Sequence, residues 1–278
     1  MMTDPEFLHD AYGTADALKI RIRAQELYGT GAGFIFDEMT TWALSQVPCQ
    51  SVLDIGMGTG NWYKSLRALC NPSVRYIGLD ASATMVATMT EATGDDPLAS
   101  LHQGDAERLL FSDNHFDWVG LHYMLYHVPH PQVALAEAWR VTKPGGLVLT
   151  LAHGLDALQS LMALQKEAVS HCLSRRMNLT THTYNLEHGS KEFPDPPTVG
   201  LERRPSGLRF PDVGSALAYY GSGFWQRGLT REELQDPRVK SCLFDFMHDA
   251  LEAIITRVGY FDVPGSSGWL WAKKPRTV

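Results

Sequence analysis

The spacing of apolar residues changes along the chain and predicts a central segment built differently from its flanks. Residues 5–28 and roughly 34–46 carry apolar positions at loose helical spacing and predict two helices. Further along, short apolar runs alternate with helical patterns, and these runs are predicted as strands at 51–55, 74–79, 98–103, 116–121 and 147–151. Because each run is apolar throughout, we expect a parallel sheet that helices cover on both faces.

The pattern becomes less regular after residue 151. Helices are predicted at 155–172, 212–221 and 237–258. The proline-rich stretch 190–211 predicts turns and loops with at most one edge strand, near 199–204. The last segment, 260–273, alternates apolar and polar residues and predicts a final strand with a bulge or tight turn, which closes the sheet as an antiparallel edge.

Composition narrows the class of partner. The 278 residues carry a formal net charge of −7, so we expect no basic face for nucleic acid. No apolar run reaches membrane-spanning length, and the polar, acidic N-terminus is unlike a secretory signal. The four cysteines lie far apart, which argues against a zinc knuckle and a disulfide framework and favours a reducing compartment. We therefore predict a cytoplasmic protein that acts on a small molecule, without nucleic acid, membrane or metal.

The stretch DIGMGTG at 54–60 raises the question of what binds at the end of the first predicted strand. Glycines let the backbone approach a ligand closely, and ligands of open α/β sheets bind beyond the carboxyl ends of the strands. A dinucleotide fingerprint needs a third glycine where Asn61 stands, and Asp54 would repel a pyrophosphate. An acid here favours an ammonium group instead, although a turn that binds nothing can also be rich in glycine.

Two further acidic residues follow the next predicted strands. Asp80 comes about 20 residues after Gly60, at the interval where strand-end carboxylates commonly hold a ribose diol. Alternatively, Asp80 caps the following helix with the help of Ser82. Asp105 can accept a hydrogen bond from an adenine amino group while Ala106 leaves room for the ring; alternatively, Asp105 is a solvated loop residue.

With these motifs the sequence resembles the class I S-adenosylmethionine-dependent methyltransferases. VLDIGMGTG is similar to the family's first motif, YIGLDAS to its second, GDAERLLFSDNHFDWV to its third motif and the strand after it, and AEAWRVTKPGGLVLTLAH to the segment with the fifth strand. Residues 12–39 and 184–189 look like the N-terminal lid and the post-sheet segment of bacterial small-molecule methyltransferases. The proline-rich 193–197 departs from the helix expected before the sixth strand, and Met57 replaces the small residue usual between the first two glycines.

The resemblance implies a doubly wound, Rossmann-like α/β fold. Its sheet would be mostly parallel and seven-stranded, with an antiparallel last strand and a helical cap. The predicted parts are an N-terminal helical lid at 1–50, an S-adenosylmethionine-binding core at 51–153, a cap or substrate region with an edge strand at 154–258, and a final strand at 259–278.

S-adenosylmethionine is the cofactor that the resemblance implies. Asp54 and the glycines would face its methionine part, Asp80 its ribose, and Asp105 with Ala106 its adenine. The predicted cofactor-binding residues are Tyr12, Arg21, Asp54, Gly56, Gly58, Gly60, Asp80, Ala81, Met85, Asp105, Ala106 and His122.

Transfer of a sulfonium methyl group is an in-line displacement that needs positioning, desolvation and, for acidic acceptors, a base. His122 and His153 follow the fourth and fifth predicted strands, whose tips point at the expected methyl group, so each can act as a base or position the acceptor; His122 can also serve only to shape its turn. Tyr12 precedes a helix in the lid position, where an aromatic face attracts a sulfonium. Arg21 or Arg23 on that helix can bind the cofactor carboxylate, or both lie on a solvated face. The predicted catalytic residues are His122, His153 and Tyr12.

The sequence thus predicts S-adenosylmethionine-dependent methyl transfer to O, N or C of a small-molecule metabolite. An alternative on the same fold uses S-adenosylmethionine as the substrate itself, cyclising or cleaving its aminobutyrate chain. A third interpretation, a binding subunit with a vestigial pocket, predicts weak cofactor binding. The sequence predicts neither the acceptor nor the oligomeric state.

Overall fold

A computed structural model describes the chain at residues 15–31, 33–177, 184–194 and 198–276. Residues 5–14 of the first predicted helix lie outside these ranges, and its remainder forms a helix at Ala15–Tyr28. Across the described ranges, no helix combines the length and the apolar character needed to cross a membrane.

The strands form one large sheet and one small one. In chain order they are β1 (Ser51–Ile55), β2 (Arg75–Asp80), β3 (Ala99–Gln103), β4 (Phe116–His122), β5 (Thr142–His153), β6 (Val199–Pro205), β7 (Leu208–Phe210), β8 (Phe261–Val263) and β9 (Ser266–Lys273). The seven-stranded sheet has the order β3-β2-β1-β4-β5-β9-β6, and β7 pairs with β8. Strands β1 to β5 pair in parallel, whereas β9 is antiparallel to both β5 and β6. The predicted doubly wound, Rossmann-like sheet with an antiparallel last strand is confirmed.

Helices cover the sheet and build the cap. They are α1 (Ala15–Tyr28), α2 (Ile35–Gln46), α3 (Asn61–Leu69), α4 (Ala83–Thr93), α5 (Pro131–Val141), α6 (Gln159–Leu173), α7 (Val213–Gly221), α8 (Arg231–Gln235) and α9 (Pro237–Val258). Asp212 and Asp236 cap α7 and α9, because their carboxylates accept the N–H groups of Ser215 at 2.7 Å and Arg238 at 2.9 Å.

The strand order reverses at β1, which lies between β2 and β4. The chain winds outward from β1 through β2 and β3, and then returns to the other side of β1 as β4. The register pairs Ile55 with Leu79 on one side and with Leu121 on the other, so the three strands end almost level. Ligands of open α/β sheets bind at such a reversal, because the connections on its two sides leave a crevice between them.

Side-chain alternation places both predicted histidines on one face of the sheet. Trp118 on β4 and Leu151 on β5 pack into the core beneath α2 and α3. His122 lies four residues after Trp118 on β4, and His153 lies two residues after Leu151 on β5. An even spacing along a strand puts each histidine on the same face of the sheet as the residue before it. The tips of β4 and β5 therefore present both histidines on the face that α2 and α3 cover.

The C-terminal segment forms two strands rather than the one interrupted strand predicted at 260–273. β8 pairs with β7 beside the cap, and β9 enters the large sheet between β5 and β6, so that β6 is the edge strand. Pro264 and Gly265 separate the two strands, since proline cannot donate a ladder hydrogen bond. Alternation in the sequence indicates a strand but does not identify its partner.

The cap has its own core, formed by α6, α7 and α9 with the β7–β8 pair. Gln165 of α6 is fully buried and donates through Nε2 to the carbonyl oxygens of Trp225 at 2.9 Å and Arg227 at 3.0 Å. The Tyr220 hydroxyl donates to Oε1 of the same amide at 2.6 Å. Because all these groups are partnered, Gln165 fixes the backbone at Arg227 relative to α6.

Cys172 on α6 and Cys242 on α9 form a disulfide, which corrects the expectation that the cysteines do not pair. Their Cα atoms lie 5.9 Å apart although 70 residues separate them in sequence. Packing of α6 against α9 creates this contact, and cysteine spacing along a sequence does not report it. Cys49 and Cys70 are free, and burial raises the pKa of both thiols.

Candidate active site

The turn after β1 holds three glycines in left-handed backbone conformation. Their φ angles are 70° at Gly56, 54° at Gly58 and 79° at Gly60. A Cβ on Gly60 would lie 2.3 Å from Met89 Sδ, and one on Gly56 would lie 2.8 Å from Met124 Cγ. A Cβ on Gly58 would instead meet nothing closer than the Gly56 carbonyl oxygen at 4.0 Å. Packing thus closes the space beside two of the glycines, whereas Gly58 presents bare backbone to open space.

Asp80, the last residue of β2, ties this turn to the next helix. Its Oδ2 accepts the Gly58 N–H at 3.0 Å, and its Oδ1 accepts the Ser82 N–H at 2.9 Å. Ser82 itself is the cap of α4, because its Oγ accepts the Met85 N–H at 3.4 Å. Burial raises the pKa of Asp80, and the two N–H bonds oppose that shift. Each carboxylate oxygen retains a second lone pair, which is the acceptor capacity that a diol needs.

We expect Ser82→Ala to lower the free energy of unfolding by about 1 kcal/mol, because α4 loses its side-chain cap. The Asp80 bond to the backbone N–H at this position survives the substitution, so S-adenosylmethionine affinity should stay within about threefold. Urea unfolding and isothermal titration calorimetry measure the two effects. A tenfold loss of affinity would instead make Ser82 a ligand contact.

Asp54 lies within β1 and is almost completely buried, at 2% exposure. The Tyr76 hydroxyl donates to its Oδ2 at 2.9 Å. Burial raises the pKa of Asp54 to about 7; the Tyr76 bond opposes this shift, and the nearby charge of Asp80 adds to it. A carboxyl group held this way at the crevice changes its charge near neutral pH, so a cation placed beside it would drive it to ionise.

Four of the other predicted cofactor-binding residues follow the ends of β2 and β3. Asp105 is exposed, and its Oδ1 accepts the Glu107 N–H at 2.8 Å. Ala106 is buried in the core of the α5 face, and Met85 is buried on α4. Ala81 is exposed. These positions lie beyond neighbouring strand ends, and their contact with a cofactor stays a prediction.

His122, at the end of β4, packs between aromatic rings. Its ring centroid lies 4.4 Å from that of Trp62 and 5.6 Å from that of Phe36, both edge to face. Both ring nitrogens are buried and have no hydrogen-bond partner among the described residues. Burial lowers the pKa of His122 to about 3. The imidazole is therefore neutral at pH 7, and its role as a base stays a prediction.

His153, at the end of β5, has a polar partner. Its Nδ1 lies 2.9 Å from Ser267 Oγ, and its ring centroid lies 4.7 Å from that of Tyr123. Burial lowers the pKa of His153 to about 4; the positive charge of Arg227 adds to this shift, and Asp156 opposes it. His153 is thus neutral at pH 7 as well, beside a cationic residue of the cap.

Sequence reasoning did not identify Tyr123, Ser267 or Arg227 as site residues. Ser267 reaches His153 only because β9 pairs with β5, in a register that aligns these two residues. Arg227, in the cap and 74 positions further along the chain than His153, acts on the site through its positive charge, which lowers the pKa of His153. Tyr123 directly follows His122 in the sequence, and an aromatic residue next to a strand-end histidine was the available signal.

The N-terminal predictions reach the described structure only in part. Tyr12 lies outside the described residues. Arg23 is exposed and forms an ion pair with Glu26 at 3.0 Å, as on a solvated helix face. Arg21 is partly buried on α1, a helix that packs against α7 and β7 of the cap. A contact between Arg21 and the cofactor carboxylate stays a prediction.

A groove with a volume of about 810 Å³ lies elsewhere, between α6 and α9, with His171, Arg238 and Phe246 among its lining residues. On the same helix α9, the exposed His248, Asp249 and Glu252 bring possible metal-ligand atoms within 4.8 Å of one another. We assign the candidate site to the strand tips instead, because the open backbone and the carboxylates with raised pKa meet there.

Comparison with known proteins connects the central segment to one enzyme family. A family profile described as "Methyltransferase domain" matches residues 53–150. The "Demethylmenaquinone methyltransferase" of Staphylococcus aureus strain JH9 is 40% identical over 99 residues, which is 36% of this chain and 41% of that protein. The same enzyme of Staphylococcus carnosus matches equally well. The match thus spans less than half the length of these relatives.

Solved structures share the fold over much more of the chain. The YcgJ protein of Bacillus subtilis covers 87% of this chain and 98% of its own, with a TM-score of 0.54 and 18% identity. The [4+2]-cyclase SpnF covers 98% of this chain and 97% of its own, with a TM-score of 0.52 and 14% identity. At these identities the likeness concerns the fold, and one fold carries different reactions.

Proposed function

We propose that this chain, whose residues 53–150 match a methyltransferase domain, is a class I S-adenosylmethionine-dependent methyltransferase that transfers the methyl group of S-adenosylmethionine to O, N or C of a small-molecule metabolite. The observation that carries this proposal is the bare backbone of Gly58, held in place by the Asp80 carboxylate where the strand order reverses. A ligand can approach that backbone without meeting a side chain, and the same carboxylate can hold a diol.

The donor set around the crevice fits S-adenosylmethionine. Asp54 offers a buried carboxyl group to the ammonium of the methionine part, and burial beside Tyr76 keeps that group ready to ionise. Asp80 has two free lone pairs for the ribose hydroxyls. Asp105 and Ala106 follow the neighbouring strand, where the adenine would extend. When bound, the cofactor supplies a sulfonium methyl group that is already activated for displacement.

The chain's contribution to the reaction is positioning and the exclusion of water. His122 and His153 lie on the sheet face that α2 and α3 cover, at the tips next to the crevice. Both imidazoles are neutral at pH 7, because burial lowers the pKa of His122 to about 3 and that of His153 to about 4. A buried neutral imidazole at His122 and a partly buried neutral one at His153 favour an acceptor that arrives in its reactive ionisation state, because neither is a strong base.

Two measurements test the proposal. Isothermal titration calorimetry should show micromolar or tighter binding of S-adenosylmethionine, and no comparable binding of NAD. Incubation with methyl-labelled cofactor and a metabolite pool, beginning with demethylmenaquinone, should yield S-adenosylhomocysteine and one labelled acceptor. Methylthioadenosine without S-adenosylhomocysteine would favour consumption of the cofactor itself. Absence of cofactor binding by the full chain would refute the proposed function.

A further inference from the structure

Three side chains meet where β4 and β5 end and β9 begins. Tyr123 follows the last residue of β4, His153 ends β5, and Ser267 is the second residue of β9. The His153 Nδ1 and the Ser267 Oγ are 2.9 Å apart, and the Tyr123 hydroxyl also bonds to Ser267. Ser267 is only 2% exposed, so its hydroxyl hydrogen needs a protein acceptor, and the His153 Nδ1 lies within hydrogen-bond distance.

The backbone at Tyr123 is strained. Its φ is 53°, a left-handed value that costs a bulky residue on the order of 1–3 kcal/mol. The Tyr123 N–H is held by the Leu151 carbonyl oxygen at 2.9 Å, and its ring packs on His153 at 4.7 Å and near Phe36 at 6.2 Å. Strain of this kind persists where a side chain must occupy one position, and it commonly marks functional sites.

Counting hydrogens selects one direction for the chain of bonds. If Tyr123 donates to Ser267 and Ser267 donates to the His153 Nδ1, every hydroxyl hydrogen in the group has an acceptor. The reverse direction leaves the Tyr123 hydroxyl hydrogen without an acceptor from this group, at a cost of about 1–3 kcal/mol. In the favoured direction Nδ1 is an acceptor, so the proton of the neutral imidazole resides on Nε2.

The charges around His153 keep the ring neutral. Burial and the positive charge of Arg227 lower the pKa of His153 to about 4, and Asp156, which opposes them, does not restore it to its ordinary value. Both ring nitrogens of His122 are buried without a hydrogen-bond partner among the described residues. The Nε2 atom of His153 is not in that situation. Because His153 is only partly buried, its Nε2 can donate to a molecule that reaches this edge of the ring.

We propose that Tyr123 and Ser267 are positioning residues that hold His153 as a neutral Nε2–H donor to an oxygen of the methyl acceptor. The inference deepens the proposed function and rests on it. It assigns the acceptor to molecules that carry an ionisable hydroxyl on an unsaturated carbon, namely phenols and enols, because a neutral donor near Arg227 stabilises an oxyanion.

The reaction balances without a base from the protein. The electron pair of the phenolate or enolate, on oxygen or on the conjugated carbon, forms the new bond to the methyl carbon. The carbon–sulfur bond breaks, and its pair stays on sulfur as S-adenosylhomocysteine forms. When methylation occurs at oxygen, the oxyanion becomes a neutral methyl ether and the sulfonium becomes a neutral thioether. When methylation occurs at carbon, that carbon then loses its hydrogen as a proton to water.

The tautomer is measured directly by long-range nitrogen–proton NMR spectra of the full chain with labelled histidine. In the wild type, the His153 signals should show a proton on Nε2 and none on Nδ1, unchanged from pH 8 down to pH 5. Ser267→Ala should give a mixture of tautomers, whereas Ser73→Ala, at an exposed serine bonded to Asn71, should not. A proton on Nδ1 of wild-type His153, or an imidazolium at pH 6, would overturn the proposal even if S-adenosylmethionine binds normally.

The acceptor class is tested with methyl-labelled cofactor and three probes: 4-nitrophenol, acetylacetone and benzylamine. Label should enter the phenol or the diketone, and His153→Leu should lower that kcat by roughly 100-fold while the cofactor Kd stays unchanged. His153→Gln, which retains an N–H donor, should recover part of the loss. Labelling of benzylamine alone, or of no probe, would overturn the assigned class, and normal calorimetric binding of the cofactor would separate that result from failure of the proposed function.

Discussion

Replacing Asp80 with alanine should weaken S-adenosylmethionine binding by roughly 100-fold, equal to about 2.7 kcal/mol. The carboxylate accepts the N–H groups of Gly58 and Ser82, and its two remaining lone pairs are the predicted acceptors for the ribose hydroxyls. Hydrogen bonds to a charged group contribute about 1.5–3 kcal/mol each, so the loss of two bonds at the lower end of this range accounts for the effect. Isothermal titration calorimetry at fixed salt and pH gives the affinity.

Two variants separate the charge of Asp80 from a general effect of substitution. Asp80→Asn retains an oxygen acceptor of the same shape and should lose less affinity than Asp80→Ala. Asp95→Ala, at an exposed acid in the loop before β3, should bind as the wild type does.

A cofactor product that lacks one ribose hydroxyl separates direct contact from collapse of the glycine turn. The 2′-deoxy analogue of S-adenosylhomocysteine should bind the wild type about tenfold less tightly than the parent compound. Asp80→Ala should bind both compounds equally, because the partner of that hydroxyl is already gone. An undiminished preference for the parent compound in the variant would refute the ribose assignment.

The core of the fold is predictable because it is encoded locally. β1, β2, β4 and β5 are largely apolar runs, each followed by a helical pattern, and such units have one common arrangement. The glycine turn is predictable for a related reason, since the left-handed angles at Gly56, Gly58 and Gly60 require a residue without Cβ. Asp54 and Asp80 could be singled out from the sequence because they lie at fixed offsets from that turn.

The acceptor side of the site is not predictable in this way, because it depends on pairing between distant segments. Ser267 belongs to a stretch that the sequence presents as a turn, and only the β5–β9 register brings it to His153. The disulfide between Cys172 and Cys242 depends in the same way on the packing of α6 against α9. The aromatic environment of His122 could not be predicted from the sequence either, because Trp62 and Phe36 lie on two different helices far from His122 along the chain.

Asp54→Asn should change how the stability of the protein without cofactor depends on pH. Burial raises the Asp54 pKa from an ordinary 3.8 to about 7, so between these values the folded state holds a proton that the unfolded state has released. The stability from this group is fully present below about pH 4 and is lost as pH rises through 7. The difference in unfolding free energy between wild type and variant should therefore shift by on the order of 4 kcal/mol from pH 4 to pH 8. Asp249→Asn, at an exposed acid, should show no such shift in urea unfolding.

The same proton makes cofactor binding depend on pH through Asp54. An ammonium group beside this carboxyl favours its ionised form, so binding should expel the proton that the free protein holds. At pH 6.5 the wild type should release roughly three-quarters of a proton more than Asp54→Asn, as calorimetry in buffers of different ionisation enthalpy measures. Affinity of the wild type should then fall as pH decreases below 7, while that of the variant stays weaker and flatter. Equal proton release by the two proteins would show that the ammonium group does not lie beside Asp54. The methionine part of the cofactor would then bind elsewhere.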